Sequence, residues 1–212
     1  MVASDQLAIS RTEFLRRGRR LEYFTIAWNS LEGLIGIYAG ALAGSISLIG
    51  FGVDSLIEVT SGGALLWRMR ASADHQASER AERIALRIVG ACFVALALYV
   101  TYEAVATLIE KHAPERSFVG IVLAAVSLIV MPVLARAKRK VSAALGSAAM
   151  AADARQTDFC TYLSAILLGG LLLNAVFGLW WADPAAALVM APLIGREGIE
   201  ALRGKTCCAH PA

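Results

Sequence analysis

The chain has 212 residues, 58% of them hydrophobic, and a formal net charge of +3. Ordinary soluble domains are about 45–50% apolar, so water is excluded as the main solvent. The basic residues stand in short stretches flanking long apolar runs, the distribution that orients membrane helices, and nucleic acid is thereby excluded as a partner.

Six apolar stretches follow one another at 23–42, 44–67, 84–108, 117–135, 146–179 and 184–202. Most reach the ~20 residues that cross a ~30 Å hydrocarbon core. Backbone groups in lipid must bond within their own segment, so runs of Ala, Leu, Ile, Val and Gly at this length are read as helices. The expected fold class is an all-α membrane protein, a six-transmembrane-helix bundle over 23–204. A cytoplasmic segment, 1–22, precedes it and a short cytoplasmic Cys/His tail, 205–212, follows. The basic N-terminus has no apolar core followed by a cleavage site and is expected to stay attached.

Lys and Arg accumulate on the cytoplasmic side of membrane helices, and here the split is one-sided. Arg11, Arg16, Arg17, Arg19 and Arg20 precede the first helix; Arg68, Arg70, Arg80, Arg83 and Arg87 follow the second; Arg136, Lys138, Arg139 and Lys140 follow the fourth. Arg196, Arg203 and Lys205 close the chain, whereas the opposite side has only Lys111 and Arg116. Both termini are therefore expected in the cytoplasm. The Trp180-Trp181 pair beside Asp183-Pro184 suits an interfacial anchor at an external turn.

Charged side chains at bilayer depth cost about 2.5–3.5 kcal/mol each on insertion scales, which makes the polar residues within these runs informative. In the first helix Asn29 and Glu32 are three apart and suit one interior cavity; Glu32 either supports an ion site or hydrogen-bonds a neighbouring helix. Gly33, Gly36, Gly40 and the Gly62-Gly63 pair suit close helix packing. In the second helix Asp54 and Glu58 are four apart, on one face. Two carboxylates so close repel unless a cation, a shared proton or an opposing basic residue intervenes, and this helix offers no Lys or Arg. A divalent ion resolves the repulsion; a protonated, merely packed carboxyl is the alternative.

Further along, Cys92 reads as a small core residue. Tyr102, Glu103 and Asn174 read as interfacial or interhelical contacts. In the fifth helix Asp153, Gln156 and Cys160 recur at helical spacing along one stripe. They offer a carboxylate, an amide carbonyl and a potential thiolate, a set able to complete a coordination shell with Asp54 and Glu58. Arg155 and Asp158 project elsewhere and are expected to pair with each other, with Asp158 as a ligand only if the helix is rotated. Four cysteines, two of them adjacent, make no disulfide framework. Cys207, Cys208 and His210 either deliver or sense metal at the cytoplasmic exit, or form a disordered end.

The segment SISLIGFGVDSLIEVTSG resembles the second helix of the cation diffusion facilitator family, where an Asp-x-x-x-Asp pair supplies half of an ion site; here it reads Asp54-x-x-x-Glu58. ADARQTDFCTYLS is similar to the family's fifth helix, whose Ala-Asp-x-x-His-x-x-x-Asp pattern supplies the other half. Gln156 then stands at the His position, Cys160 at the final Asp, and Asp153 at the preceding Asp. SERAERIALRI falls where the family begins its third helix. The chain looks like a short, divergent form without the usual cytoplasmic C-terminal domain, similar also to small vesicular zinc-binding six-helix proteins.

The resemblance implies a divalent metal transporter that works by proton-coupled alternating access, as a homodimer. Its metal ligands are Asp54, Glu58, Asp153, Gln156 and Cys160. Zinc is the first substrate expected for mixed oxygen and sulfur ligands, with cadmium, cobalt or iron behind it. The alternative is a metal-binding or regulatory membrane protein that does not transport. No nucleophile and base pair, phosphate loop or HExxH motif stands at usable spacing, so neither an enzyme nor an organic cofactor is expected. The bacterial inner membrane is the expected location.

Overall fold

The apolar runs fold as α-helices in a computed structural model that describes residues 2–70, 75–111 and 113–203. The six are α1 (Val2–Ala43), α2 (Ile46–Arg70), α3 (His75–Glu110), α4 (Phe118–Leu145), α5 (Ala148–Phe177) and α6 (Ala182–Leu202). Among the described residues there is no strand. Among the described residues three helices are long and apolar enough to cross a membrane, over Arg87–Glu110, Phe118–Leu145 and Asp153–Phe177. The tail residues Cys207, Cys208 and His210 lie outside the described residues.

The helices extend well beyond the apolar stretches. α1 begins at Val2 rather than near 23, α3 at His75 rather than 84, and α4 runs to Leu145 instead of stopping at 135. Composition marks where lipid ends, whereas the helix continues for as long as no breaker intervenes. The basic run Arg136–Lys140, expected as a loop, is therefore part of α4, which continues past it to Leu145. α4 stops at Gly146, whose φ of 60° is the left-handed conformation favoured by glycine, and Ser147 at once caps α5 by accepting a bond from the Met150 N–H at 3.3 Å.

Packing pairs α1 with α2, α4 with α5 and α3 with α6, while α2 also touches α5 and α1 touches α4. Of the glycines expected to allow close approach, Gly33, Gly36, Gly40 and Gly62 do so. A Cβ on Gly36 would stand 3.1 Å from Gly52 Cα, and one on Gly52 would stand 2.7 Å from the Ile37 nitrogen and 3.0 Å from the Gly33 oxygen. Gly62 likewise packs against Ile26, while Gly63 faces open space. The Gly52→Ala variant is expected to lose about 1–3 kcal/mol, because backbone rather than a flexible side-chain end must yield. Thermal unfolding in detergent checks this, and an unchanged midpoint contradicts the contact.

Large apolar side chains point outward, among them Leu34, Tyr38, Leu98, Ile109, Phe118, Ile129 and Phe177. This surface suits lipid rather than water. Tyr102 is exposed in the same way. Cys92 is exposed too, and not the core residue expected, because the alternating faces of an apolar helix in lipid cannot be told apart by hydropathy. At the end of the bundle holding the α1–α2, α3–α4 and α5–α6 turns, Asp183 is buried. It accepts the Ser45 hydroxyl at 2.6 Å, the Ser47 hydroxyl, and the Ile46 N–H at 3.1 Å, so that α6 caps the start of α2. Asn174 donates to the Pro114 carbonyl at 3.2 Å, joining α5 to the turn between α3 and α4 rather than to a neighbouring helix.

Candidate metal centre

α2 and α5 meet halfway along the bundle, and there Asp54 and Glu58 face Cys160. The thiol donates to Glu58 Oε2 at 2.9 Å and lies 3.6 Å from Asp54 Oδ2. Thr157, one turn from Cys160, sends its hydroxyl toward Glu58 Oε1 at 3.4 Å and to the Asp153 carbonyl at 3.1 Å. Asp54 and Glu58 are each 1% exposed and Cys160 is 2% exposed. Two carboxylates so placed need a positive partner, and the thiol hydrogen is the nearest one.

α1 closes the other side. Glu32 Oε2 accepts from Ser55 at 3.0 Å, Asn29 lies beside Glu58, and Ser127 of α4 approaches Glu32 while accepting from Ser164 of α5 at 3.1 Å. Glu32 thus hydrogen-bonds a neighbouring helix and lines the same polar centre. Several buried atoms here have no hydrogen-bond partner: Asp54 Oδ1, Glu32 Oε1, both amide atoms of Asn29 and the Trp28 indole nitrogen. Buried polar groups are rarely left so; the indole and amide N–H groups lie toward the Glu32 and Glu58 carboxylates, while the three oxygens, on Asp54, Glu32 and Asn29, suit a cation as their partner. Among the described residues no group of three or more His, Cys, Asp or Glu is already arranged to hold a metal ion. The cluster is joined through the thiol hydrogen instead.

Gln156 and Asp153, expected in the same shell, are placed elsewhere. Gln156 is half-buried, and its Oε1 accepts from Ser61 of α2 at 3.2 Å, while Thr157 occupies the inward position beside Glu58. Asp153 shares a face with Cys160 but stands seven residues earlier, about 10 Å along the axis. Its partner there is Lys138 of α4, which also lies 3.4 Å from Glu22 Oε1 of α1. Glu22 and Lys138 are fully buried and Asp153 is 6% exposed. Neither Glu22 nor Lys138 stood out as a site residue in the sequence.

The expected Arg155–Asp158 pair is also rearranged, since Asp158 bonds Arg139 of α4. With α4 helical through this stretch, Arg139 faces α5 directly. Arg139 is 48% exposed and Asp158 32%, so the pair lies on the outside of the bundle rather than in its buried interior. The Arg139→Ala variant is expected to cost no more than about 1 kcal/mol, read as a midpoint shift of a few degrees at most in thermal unfolding. A larger loss would mean that this pair, too, is part of the core.

An all-helical chain with fully buried carboxylates and a thiol at its centre, wrapped in an apolar exterior, defines a polytopic membrane protein built around a polar intramembrane cluster. The sequence pattern of the cation efflux transmembrane domain matches residues 23–204, and the chain belongs to that family. It is an integral membrane protein accordingly. It is similar to an uncharacterized transporter of Methanocaldococcus jannaschii, 31% identical over 187 residues that make up 83% of this chain and 64% of the relative. It is also similar to the cation-efflux pump FieF of Shewanella oneidensis, 24% identical over 173 residues that make up 81% of this chain and 58% of the pump. The chain thus spans about three fifths of the length of these relatives.

Proposed function

We propose that this chain moves a divalent metal cation across the membrane, held midway by Asp54, Glu58 and Cys160. The observation that carries the reading is the Cys160 thiol lying on two buried carboxylates contributed by another helix. A metal ion takes the place of the thiol hydrogen, since a thiol binds metal as thiolate and releases its proton on binding. Asp54 Oδ1 and the Asn29 amide are spare donors beside it. Zinc is the first substrate on this donor set, with cadmium, cobalt and iron as competitors.

In this reading all six helices span the bilayer and both termini are cytoplasmic, as the Lys and Arg asymmetry supports. The ion passes by alternating access, with protons returning to Glu58, Asp54 and Cys160 as it leaves. The protein works as a homodimer in the bacterial inner membrane, by transport and without enzymatic chemistry. The resemblance of the second and fifth helices to the family supports the site, and the name of the FieF relative supports the cargo class.

The test is zinc flux into vesicles carrying the purified chain, followed with an entrapped zinc-sensitive dye. Dye response well above that of protein-free vesicles, accompanied by lumenal proton loss, is expected. Zinc binding without flux would replace this reading with that of a non-transporting metal-binding protein.

A further inference from the structure

Lys138 is the one fully buried Lys or Arg among the residues whose side chains are described, and its position sets a question that the central cluster does not answer. A buried ammonium needs compensation, and two carboxylates supply it, Asp153 by direct contact and Glu22 at 3.4 Å. The compensation overshoots. Glu22 Oε2 and Asp153 Oδ1 have no hydrogen-bond partner, and Glu22 Oε2 faces the bare backbone of Gly62, where even a Cβ would leave it 3.6 Å away. Two carboxylates with spare oxygens around a single positive charge make a site that suits a divalent cation better than a monovalent one.

The place of this triad along the bundle matters as well. Glu22, Lys138 and Asp153 lie nearer than the central cluster to the end where the basic segments gather, which is the cytoplasmic end in the proposed orientation. Lys138 is also within electrostatic reach of Glu58. Its ammonium is a compact charge on a flexible four-carbon stem, held between Glu22 and Asp153.

We propose that Glu22 and Asp153 form a second divalent-cation subsite on the path to the Asp54–Glu58–Cys160 cluster, in which the Lys138 ammonium stands where the passing ion binds. An ion arriving there displaces the ammonium toward Glu58; as the ion moves on to the central cluster, the ammonium returns to Asp153. One tethered charge shared between two carboxylate pairs keeps the chain to a single ion at a time and makes the hand-over sequential. The order of hand-over rests on the transport reading, whereas the existence of the subsite does not.

The experiment counts zinc bound per chain, by equilibrium dialysis and elemental analysis of the purified full-length protein in detergent. Wild type and Lys138→Arg bind one ion. Lys138→Met binds two, and adding Glu22→Gln with Asp153→Asn returns the count to one. The discriminating background is Asp54→Asn, Glu58→Gln, Cys160→Ser, which binds none with Lys138 intact and one once Lys138 is Met. A merely structural lysine predicts no added ion in either background, and that result overturns the proposal. Lys138→Gln, which keeps a hydrogen bond to Asp153, is scored by the same count if the Met chain does not fold. Failure of wild type to bind while the triple-background Met chain binds one would sink the central site and leave this subsite standing.

Discussion

Zinc flux in the Glu58→Gln variant is expected to fall by about 100-fold or more, while the helical fold keeps its thermal midpoint. The two effects have opposite origins. Glu58 is buried at the meeting of α2 and α5 and receives the Cys160 thiol at 2.9 Å. Removing one charged partner from a buried charge cluster costs about 3–5 kcal/mol of interaction with the other. At 1.4 kcal/mol per tenfold change, the lower figure already exceeds 100-fold in ion affinity. Without the ion, the same substitution removes repulsion from Asp54 one turn away and spares the desolvation of a charge, so stability does not suffer. Parallel measurements of flux and of unfolding in detergent check both halves. A Glu58→Gln chain that transports normally would remove Glu58 from the site, and one that fails to fold would make it a structural residue.

The second large effect is structural. Lys138→Ala is expected to destabilise the chain by about 3–5 kcal/mol, the cost of leaving buried carboxylates without their cation. Glu22 and Asp153 belong to different helices, α1 and α5, and Lys138 of α4 ties them together, so the loss loosens a three-helix contact. Pairing the substitution with Glu22→Gln and Asp153→Asn should recover most of it, since all three charges then leave together. Urea or thermal unfolding reads the difference, and the contrast with the near-neutral Arg139→Ala separates a buried network from a pair on the outside of the bundle. Equal losses at Lys138 and Arg139 would contradict the account.

That Asp54 and Glu58 share a buried face is legible from their i, i+4 spacing, and that Cys160 comes to meet them from its helical spacing on the facing run. What periodicity gave for a face it did not give for depth. Asp153 shares the face of Cys160 but lies about 10 Å lower, within reach of a different partner. Gln156 sits at the margin of the stripe, and the bulk of Thr157 beside it takes the inner place.

Glu22 and Lys138 were hidden by their neighbours. Arg19 and Arg20 precede the one, and Arg136, Arg139 and Lys140 surround the other, so both read as part of a solvated basic stretch. The signal that finds them is spacing across the apolar boundary. Glu22, Thr25, Asn29 and Glu32 form one buried polar stripe of α1, and Lys138 continues the buried face of α4 through Met131, Leu134, Ala135, Val141 and Ser142. Treating each apolar run as the whole helix ends the count too early. The helix obeys backbone chemistry, and its inward face continues past the point where hydropathy falls.

In the proposed mechanism Asp54, Glu58 and Cys160 hold the transported ion. Anomalous diffraction at the zinc edge from crystals grown with zinc tests it most directly. A peak is expected midway along the bundle, within coordination distance of the Cys160 sulfur and of carboxylate oxygens of Asp54 and Glu58. A fully occupied peak elsewhere in the bundle, with none between α2 and α5, would contradict it.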